Sequence, residues 1–259
     1  MPRSVRSGFL VTVLMMCLAP LALADWQRFE AVREAVGEAT PRAQGLTMEL
    51  PLVSEDGSAV PVTIKVDSPM RTDQYIESIQ IFADGNPNAE VVDFLLTPRV
   101  GRAEVSTRIR VNESQTIWAV ARSNTGEVWV TSRDIRVTVG GCLMTAEDNS
   151  SVLLSQPRVA LPRAFRAGNA DEVRTLVTHP METGLREGPN GDVLPRRLVE
   201  SLTVSIGGET ALTVRMHTAV SANPYMRFFL APQASAEAIF VWQEDSGFSV
   251  SSTHSLTVN

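Results

Sequence analysis

Cysteine and histidine are scarce in this sequence of 259 residues, which contains two of the first and three of the second. This excludes a disulfide framework and any zinc site built on paired Cys-x-x-Cys motifs. His179, His217 and His254 lie in separate strand-like stretches, without the close spacing of a metal-binding pair. Basic residues are also outnumbered, 23 against 29 acidic ones, and form no stripe, which argues against nucleic acid as a ligand. We therefore predict no metal site and no cofactor.

Long apolar runs are missing except near the N-terminus, where a short one follows basic residues. Arg3 and Arg6 precede the apolar residues 9–18, and Ala22-Leu23-Ala24 supplies a cleavage site. The run is too short for a membrane-spanning helix. The sequence therefore predicts a cleaved signal peptide, residues 1–24, and export to the periplasm without a membrane span. A lipid-modified Cys17 is the alternative.

Short alternating runs separated by turn residues follow one another along most of the chain. Val60–Val66 alternates strictly, and Gly207-Gly208 between two such runs predicts a hairpin turn. This spacing is typical of antiparallel sandwiches of the immunoglobulin type. Before the strands, Trp26, Phe29 and Val32 recur at helical spacing and predict a short helix. The predicted fold is therefore all-β: two immunoglobulin-like antiparallel β-sandwich domains with a short N-terminal helix. The predicted strands are Leu46–Val53, Val60–Val66, Ser78–Phe82, Val91–Thr97, Glu104–Val111, Thr116–Ala121, Val128–Val139, Val173–Thr178, Leu198–Ile206, Ala211–Met216, Met226–Leu230, Ala238–Gln243 and Phe248–Val258.

Residues 143–156 lack a sustained period and carry acidic residues and serines, so we interpret them as a linker. They would separate a first domain, 25–142, from a second, 157–259. Ile64–Met70 and Leu176–Met181 are both strand-like and both end in Pro-Met. This similarity could reflect duplication of one sandwich or chance.

Cys142 is the one cysteine left after signal cleavage, and it follows Gly140 and Gly141 at the end of a predicted strand. Two glycines remove side-chain hindrance and free the backbone. We therefore predict that Gly140 and Gly141 place the thiol on a mobile arm that runs to about Ser155. Nothing basic lies within five residues to lower the pKa of the thiol, which favours loading by an enzyme over independent reactivity. An incidental surface cysteine, or one that links two chains, is the alternative.

Two groups of motifs resemble SoxY and SoxZ, the subunits of the sulfur-compound carrier of bacterial thiosulfate oxidation. The SoxY-like motifs are Val60–Met70, Phe82–Phe94, Ala103–Arg110 and Val137–Cys142, and the SoxZ-like ones are His179–Arg186, Leu202–Gly207 and Ala219–Phe229. In order and content, the chain most closely resembles the fused SoxYZ-like carriers associated with quinoprotein dehydrogenases.

The resemblance implies two packed immunoglobulin-like halves and a carrier rather than an enzyme. In that family, partner enzymes attach a sulfur compound to the cysteine of a Gly-Gly-Cys-Gly-Gly arm, oxidise it and hydrolyse it off. Gly140, Gly141 and Cys142 match the first three positions, whereas Leu143 and Met144 replace the last two glycines. The implied partners are sulfur-processing periplasmic enzymes or cytochromes, with a quinoprotein dehydrogenase system as a further candidate. The alternative function is an interaction module of such a dehydrogenase system, with a cysteine that carries no substrate.

The remaining candidates have structural interpretations. Trp118, Trp129 and Trp242 fall within predicted strands and are expected in the core. We expect His179 to be a turn residue at a strand end, and Glu182 and the nearby Glu187 to be solvated.

Overall fold

A computed structural model of the protein describes residues 26–141, 154–188 and 190–259. We call residues 26–141 the first half and residues 154–259 the second half. A 3-10 turn, Trp26–Arg28, and helix α1, Glu30–Val36, precede the strands. The strands are β1 Leu46–Glu49, β2 Val53–Asp56, β3 Val60–Val66, β4 Ile76–Ala83, β5 Glu90–Leu96, β6 Glu104–Ile109, β7 Gln115–Ser123, β8 Val128–Val139, β9 Ser155–Ala160, β10 Asp171–Thr178, β11 Val199–Ile206, β12 Glu209–Met216, β13 Tyr225–Leu230, β14 Ala236–Glu244 and β15 Ser249–Leu256. None of the described helices is long and apolar enough to cross a bilayer.

The strands form two sheets, and each half contributes to both of them. The larger sheet has nine strands in the order β15-β14-β11-β12-β5-β4-β7-β8-β2, and the smaller has six in the order β1-β3-β6-β13-β10-β9. Almost all pairs are antiparallel; the exception is the parallel pair β2 and β8. The predicted all-β fold, with two immunoglobulin-like sandwiches and a short N-terminal helix, is confirmed.

The two halves are joined by strand pairing in both sheets. In the larger sheet, β5 pairs with β12, and the paired residues run from Leu96 opposite Leu212 to Val92 opposite Met216. In the smaller sheet, β6 pairs with β13 over a shorter distance. The sequence predicted two sandwiches packed together, but it did not reveal this seam of backbone hydrogen bonds. Each half covers strand edges that the other would otherwise expose to uncontrolled pairing.

One hydrophobic core runs through both halves because inward-facing residues alternate along the strands. Every second residue of β3 is buried, from Val60 to Val66, and Phe94 and Trp242 belong to the same core. The outer face of the larger sheet is covered by α1, which packs Val32 against Trp118 and its neighbours. The predicted burial of Trp118, Trp129 and Trp242 is confirmed.

The strand order is repeated outward from the seam in both halves. The larger sheet runs β5-β4-β7-β8 on one side and β12-β11-β14-β15 on the other, and the smaller sheet runs β6-β3-β1 and β13-β10-β9. Thus each strand from β3 to β8 has an equivalent seven strands later in the chain. The fold is therefore duplicated, which the Pro-Met similarity alone left open.

The Pro-Met similarity itself has a structural basis. Met70 and Met181 both adopt positive φ, 47° and 51°, which is uncommon outside glycine. Each methionine sulfur accepts the backbone N–H of the first residue of the next strand, Ile76 or Val199, at 3.3 Å. The two turns are therefore equivalent in conformation and in hydrogen bonding.

The predicted linker, residues 143–156, differs from the structure at its C-terminal end. Leu154 is buried, and Ser155 already begins β9, which pairs with β10. Residues 143–153 and the predicted signal peptide, 1–24, lie outside the described residues. The second sandwich therefore begins earlier than predicted.

Candidate functional site

Strand β8 leads directly to the Gly-Gly-Cys motif. Its pairing with β7 reaches Ile135, which lies opposite Gln115. Beyond that point β8 continues beside β2, with Val137 opposite Ser54 and Val139 opposite Asp56. The chain is therefore held in a sheet up to the last residue before Gly140.

Gly140 and Gly141 lie against backbone from two other segments. The Gly141 N–H donates to the Val111 carbonyl at 2.9 Å, the Val111 N–H to the Gly57 carbonyl at 2.8 Å, and the Gly57 N–H to the Val139 carbonyl at 2.8 Å. A Cβ atom on Gly140 would lie within 3.0 Å of the Asn112 carbonyl oxygen, and one on Gly141 within 3.0 Å of the Gly57 carbonyl. None of these glycines has a left-handed φ, so close approach, not conformation, requires them. We call Gly57, Val111, Gly140 and Gly141 the glycine junction.

Polar side chains from the loop between β4 and β5 and from the first residue of β7 hold the junction in place. The Asn86 side chain donates to the Arg110 carbonyl at 2.8 Å and accepts the Asn112 N–H at 2.9 Å. Gln115 donates to the same Asn86 oxygen at 3.0 Å. These bonds fix the segment that supplies Val111 to the junction.

Arg110 connects this segment to the second half. Its guanidinium is buried and donates to the carbonyls of Met181 at 2.6 Å, Pro180 at 3.0 Å and Thr218 at 3.4 Å. Its backbone N–H donates to the Ala219 carbonyl at 2.6 Å. The glycine junction is therefore one residue away from contacts with the His179-Pro180-Met181 turn.

His179 is fully buried in the second half and faces a buried carboxylate. Its Nδ1 accepts the Met181 N–H at 3.0 Å, so the proton of the neutral ring lies on Nε2, 3.2 Å from Glu244 Oε1. Burial lowers the pKa of His179 to about 4, although the nearby Glu244 carboxylate favours the charged form. The imidazole is therefore neutral at pH 7.

Glu244 also holds the chain at Leu154, just before β9. Its Oε1 accepts the N–H of Leu154 at 3.2 Å, and its Oε2 accepts the Ser246 hydroxyl at 2.9 Å. The two described ends of the cysteine-bearing segment, Gly141 and Leu154, are thus linked through one continuous set of contacts. In order, it comprises Gly141, Val111, Arg110, Met181, His179, Glu244 and Leu154.

Two family matches together cover most of the chain. Residues 32–142 match the model of the sulfur oxidation protein SoxY, and residues 159–255 match that of the sulphur oxidation protein SoxZ. The chain belongs to the fused SoxY–SoxZ family. The first half is thus the SoxY half, and its match ends at Cys142; the second is the SoxZ half.

Comparison with solved structures gives partial similarities. The sulfur carrier protein SoxY from Chlorobium limicola f thiosulfatophilum is 25% identical, with a TM-score of 0.36, and the match covers 42% of this chain and 94% of that one. A superoxide reductase (neelaredoxin) from Ignicoccus hospitalis is 17% identical, with a TM-score of 0.34, over 36% of this chain and 80% of that one. No curated protein matches the sequence significantly. The family assignment rests on the two family matches.

Of the predicted site residues, the structure describes both glycines but not the cysteine. Cys142 lies outside the described residues. Gly140 and Gly141 were predicted to give an arm its mobility, and in the structure their role is different. They allow the backbones of the SoxY half to approach each other at the glycine junction, so the predicted arm does not begin at Gly140. Its predicted end near Ser155 lies within β9.

The structure also shows the environments of His179, Glu182 and Glu187, two of which differ from the prediction. His179 does lie at the end of β10, but it is a buried partner of Glu244 rather than a simple turn residue. Glu182 was expected to be solvated; it is instead largely buried in a pair with Arg186, at 2.7 Å. Glu187 is exposed, as predicted. In the ranges that the structure describes, no three His, Cys, Asp or Glu side chains gather into a metal-binding group.

Sequence reasoning missed Gly57, Asn86, Arg110 and Glu244. Asn86 and Arg110 lie inside SoxY-like motifs, so the motifs contained the signal. However, a lone arginine at a strand end is indistinguishable by sequence from a solvated one, because its carbonyl partners belong to a distant turn. Gly57 gave no signal beyond that of an ordinary turn glycine.

Proposed function

We propose that this fused SoxY–SoxZ protein is a carrier that holds a sulfur compound covalently on Cys142 while partner enzymes act on it. The observation that supports it most is the SoxY match, which ends at Cys142. A thiol is the side chain that forms and releases an S–S bond reversibly. With the predicted signal removed, Cys142 is the one thiol in the sequence. The chain would serve as a substrate for enzymes rather than as an enzyme.

The chemistry of loading defines one kind of partner. Joining the Cys142 thiol to a second S–H group forms one S–S bond and releases two protons and two electrons. The electrons must pass to an acceptor, and we assign this role to a partner such as a periplasmic cytochrome. Exchange with a cargo that already contains an S–S bond would transfer the sulfur without net oxidation. Export by the predicted signal peptide, 1–24, would place the protein with such partners in the periplasm.

The glycine junction would set the place where partners meet the carrier. Gly141 is buried and its N–H is hydrogen-bonded to the Val111 carbonyl, and the Cα atoms of consecutive residues are about 3.8 Å apart. A partner that takes up Cys142 must therefore approach the end of β8 closely. This differs from a carrier in which the cysteine lies on a long free tail.

Intact-mass measurements on protein purified without reductant test the proposal. Wild-type protein exposed to thiosulfate and a periplasmic extract should acquire adducts in steps of sulfur or sulfonate, and reductant should remove those bound through S–S bonds. The variant Cys142→Ser should acquire none and should melt at nearly the same temperature, because Cys142 is not a core residue in this proposal. A bare thiol after exposure, or adducts that persist in the variant, would contradict the carrier function and favour the interaction-module alternative.

A further inference from the structure

The contacts of Arg110 point to a role for the SoxZ half in presenting the carrier cysteine. Arg110 directly follows β6 and directly precedes Val111, whose carbonyl accepts the Gly141 N–H. The Arg110 guanidinium donates hydrogen bonds to three backbone carbonyls of the SoxZ half. One residue therefore contacts the SoxZ half with its side chain and is bonded to the junction through its backbone.

The acceptors of Arg110 are brought together by the backbone of the SoxZ turn. Met181 adopts φ 51° and is held there by two bonds, from its own N–H to His179 and from the Val199 N–H to its sulfur. The carbonyls of Pro180 and Met181 then both lie within hydrogen-bond distance of Arg110. Bonds from a charged donor in a buried place are stronger than those between neutral groups. The contact is therefore built to hold the turn and the junction in one relative position.

The duplicated fold shows that this arginine is not needed to form the seam. Ala231 follows β13 as Arg110 follows β6. The Ala231 N–H donates to the Arg99 carbonyl at 2.7 Å, and the Arg110 N–H donates to the Ala219 carbonyl at 2.6 Å. Arg99 and Ala219 each lie three residues beyond the equivalent strands β5 and β12. The backbone arrangement is thus the same at both positions, but a long cationic side chain occurs only beside the glycine junction.

We propose that Arg110 is a positioning residue for the carrier cysteine, through which the SoxZ turn fixes the glycine junction that precedes Cys142. This inference rests on the proposed carrier function. It gives the SoxZ half a direct part in presenting the cargo, since its carbonyls hold the residue next to Val111. The geometry requires no contact between the SoxZ turn and the cargo itself.

Amide hydrogen exchange and a spin label measure this positioning without any cargo. In Arg110→Met, the Gly141 amide should exchange roughly tenfold faster, because its acceptor segment loses the anchoring bonds. The Val66 amide, which donates to the Ala103 carbonyl at 2.8 Å, should keep its rate and serves as the control for global stability. A nitroxide label on Cys142 should give narrower spectral lines in the variant than in the wild type.

Arg108→Met is the matched control variant. Arg108 lies two residues earlier, within β6, is exposed, and contacts the Tyr225 ring at 5.1 Å rather than the SoxZ turn. Its replacement should change neither the Gly141 amide nor the spin label. Arg110→Lys keeps the charge but loses the planar fork, and it should give intermediate values; it decides the question if Arg110→Met does not fold.

A folded Arg110→Met protein with wild-type exchange at Gly141 and a wild-type spin-label spectrum would overturn the proposal. Equal acceleration at Gly141 and Val66 would also overturn it, because that pattern indicates general destabilisation. Neither result depends on cargo, so failure of this inference is distinct from the failure of Cys142 to form adducts.

Discussion

Replacing Gly141 by alanine distinguishes a mobile arm from a packed junction by the size of the change in stability. In a free arm, alanine would restrict the folded and the unfolded chain equally, so the free energy of unfolding would hardly change. In the structure, the added Cβ would instead meet the Gly57 carbonyl and the Ser58 nitrogen within 3.0 Å. Both are backbone atoms, which cannot rotate away, so the segments must separate.

The expected cost follows from what the separation breaks. The bonds from Gly141 to Val111 and from Gly57 to Val139 are at risk, each contributing about 1 kcal/mol, and overpacking adds about 1–3 kcal/mol. We therefore expect Gly141→Ala to destabilise the protein by about 3 kcal/mol. Urea unfolding followed by tryptophan fluorescence measures this, since Trp118 and Trp129 lie in β7 and β8.

Gly126→Asn is the control for this measurement. Gly126 lies in the turn between β7 and β8 with φ 85° and open space around it, and asparagine tolerates that conformation. Its replacement should change stability by less than about 0.5 kcal/mol. A Gly141→Ala protein as stable as the wild type, or more stable, would refute the packed junction and restore the mobile arm. Gly57→Ala should cost a similar amount, and the double variant less than the sum, because both substitutions open the same contact.

Two further predictions concern the buried histidine and the seam. Burial lowers the pKa of His179 from 6.5 to about 4, so the unfolded state binds the proton more tightly than the folded state. The free energy of unfolding therefore keeps its full value above pH 6.5 and falls by about 3 kcal/mol as the pH decreases to 4. Unfolding titrations across this range should show that extra loss in the wild type and not in His179→Asn; parallel losses in both would contradict it. Arg227 bonds across the seam to Ser106 at 2.7 Å and Glu104 at 2.9 Å. Arg227→Met should destabilise the protein by about 2 kcal/mol, because it removes the nearer of the two cations that face the half-buried Glu104 carboxylate; Arg102 lies farther away, at 3.8 Å. Arg174→Met, at a site with the side chain 59% exposed, should cost less than about 0.5 kcal/mol, and equal costs for the two variants would argue against a contribution from the seam.

Strand positions could be predicted where one face of a strand is buried. Val60–Val66 and Val128–Val139 were predicted with the observed bounds. In Val60–Val66 an apolar residue occupies every second position from the first residue to the last. Leu46–Val53 was predicted as one strand and is two. The chain leaves the smaller sheet after Glu49 and enters the larger one at Val53, across Pro51. Apolar residues continue through this crossing, so no change of period reveals it.

The missing strand and the glycine junction have a common cause. β9 pairs with β10, but its sequence lacks the alternation of apolar and polar residues that predicts a strand. The junction depends on contacts between residues far apart in the chain, such as Gly57 and Gly141. A Gly-Gly pair taken by itself predicts a flexible backbone. The sequence does not show which distant segment packs against that pair in the fold.

The duplication itself indicates where function was added to the fold. The halves share strand order and the Pro-Met turns, so positions at which they differ are not dictated by the common architecture. Several differences lie together: Arg110 occurs where the equivalent residue is Ala231, and His179 where it is Ser68. Both belong to the set of contacts that links Gly141 to Leu154. β8 is also longer than its equivalent β15, with twelve residues instead of eight, and its extra length carries the chain to Gly140. These three differences lie at the two described ends of the cysteine-bearing segment. Under the proposed function that placement has a purpose, because a cargo held covalently on Cys142 must be presented at a fixed place while the rest of the sandwich needs only to remain folded.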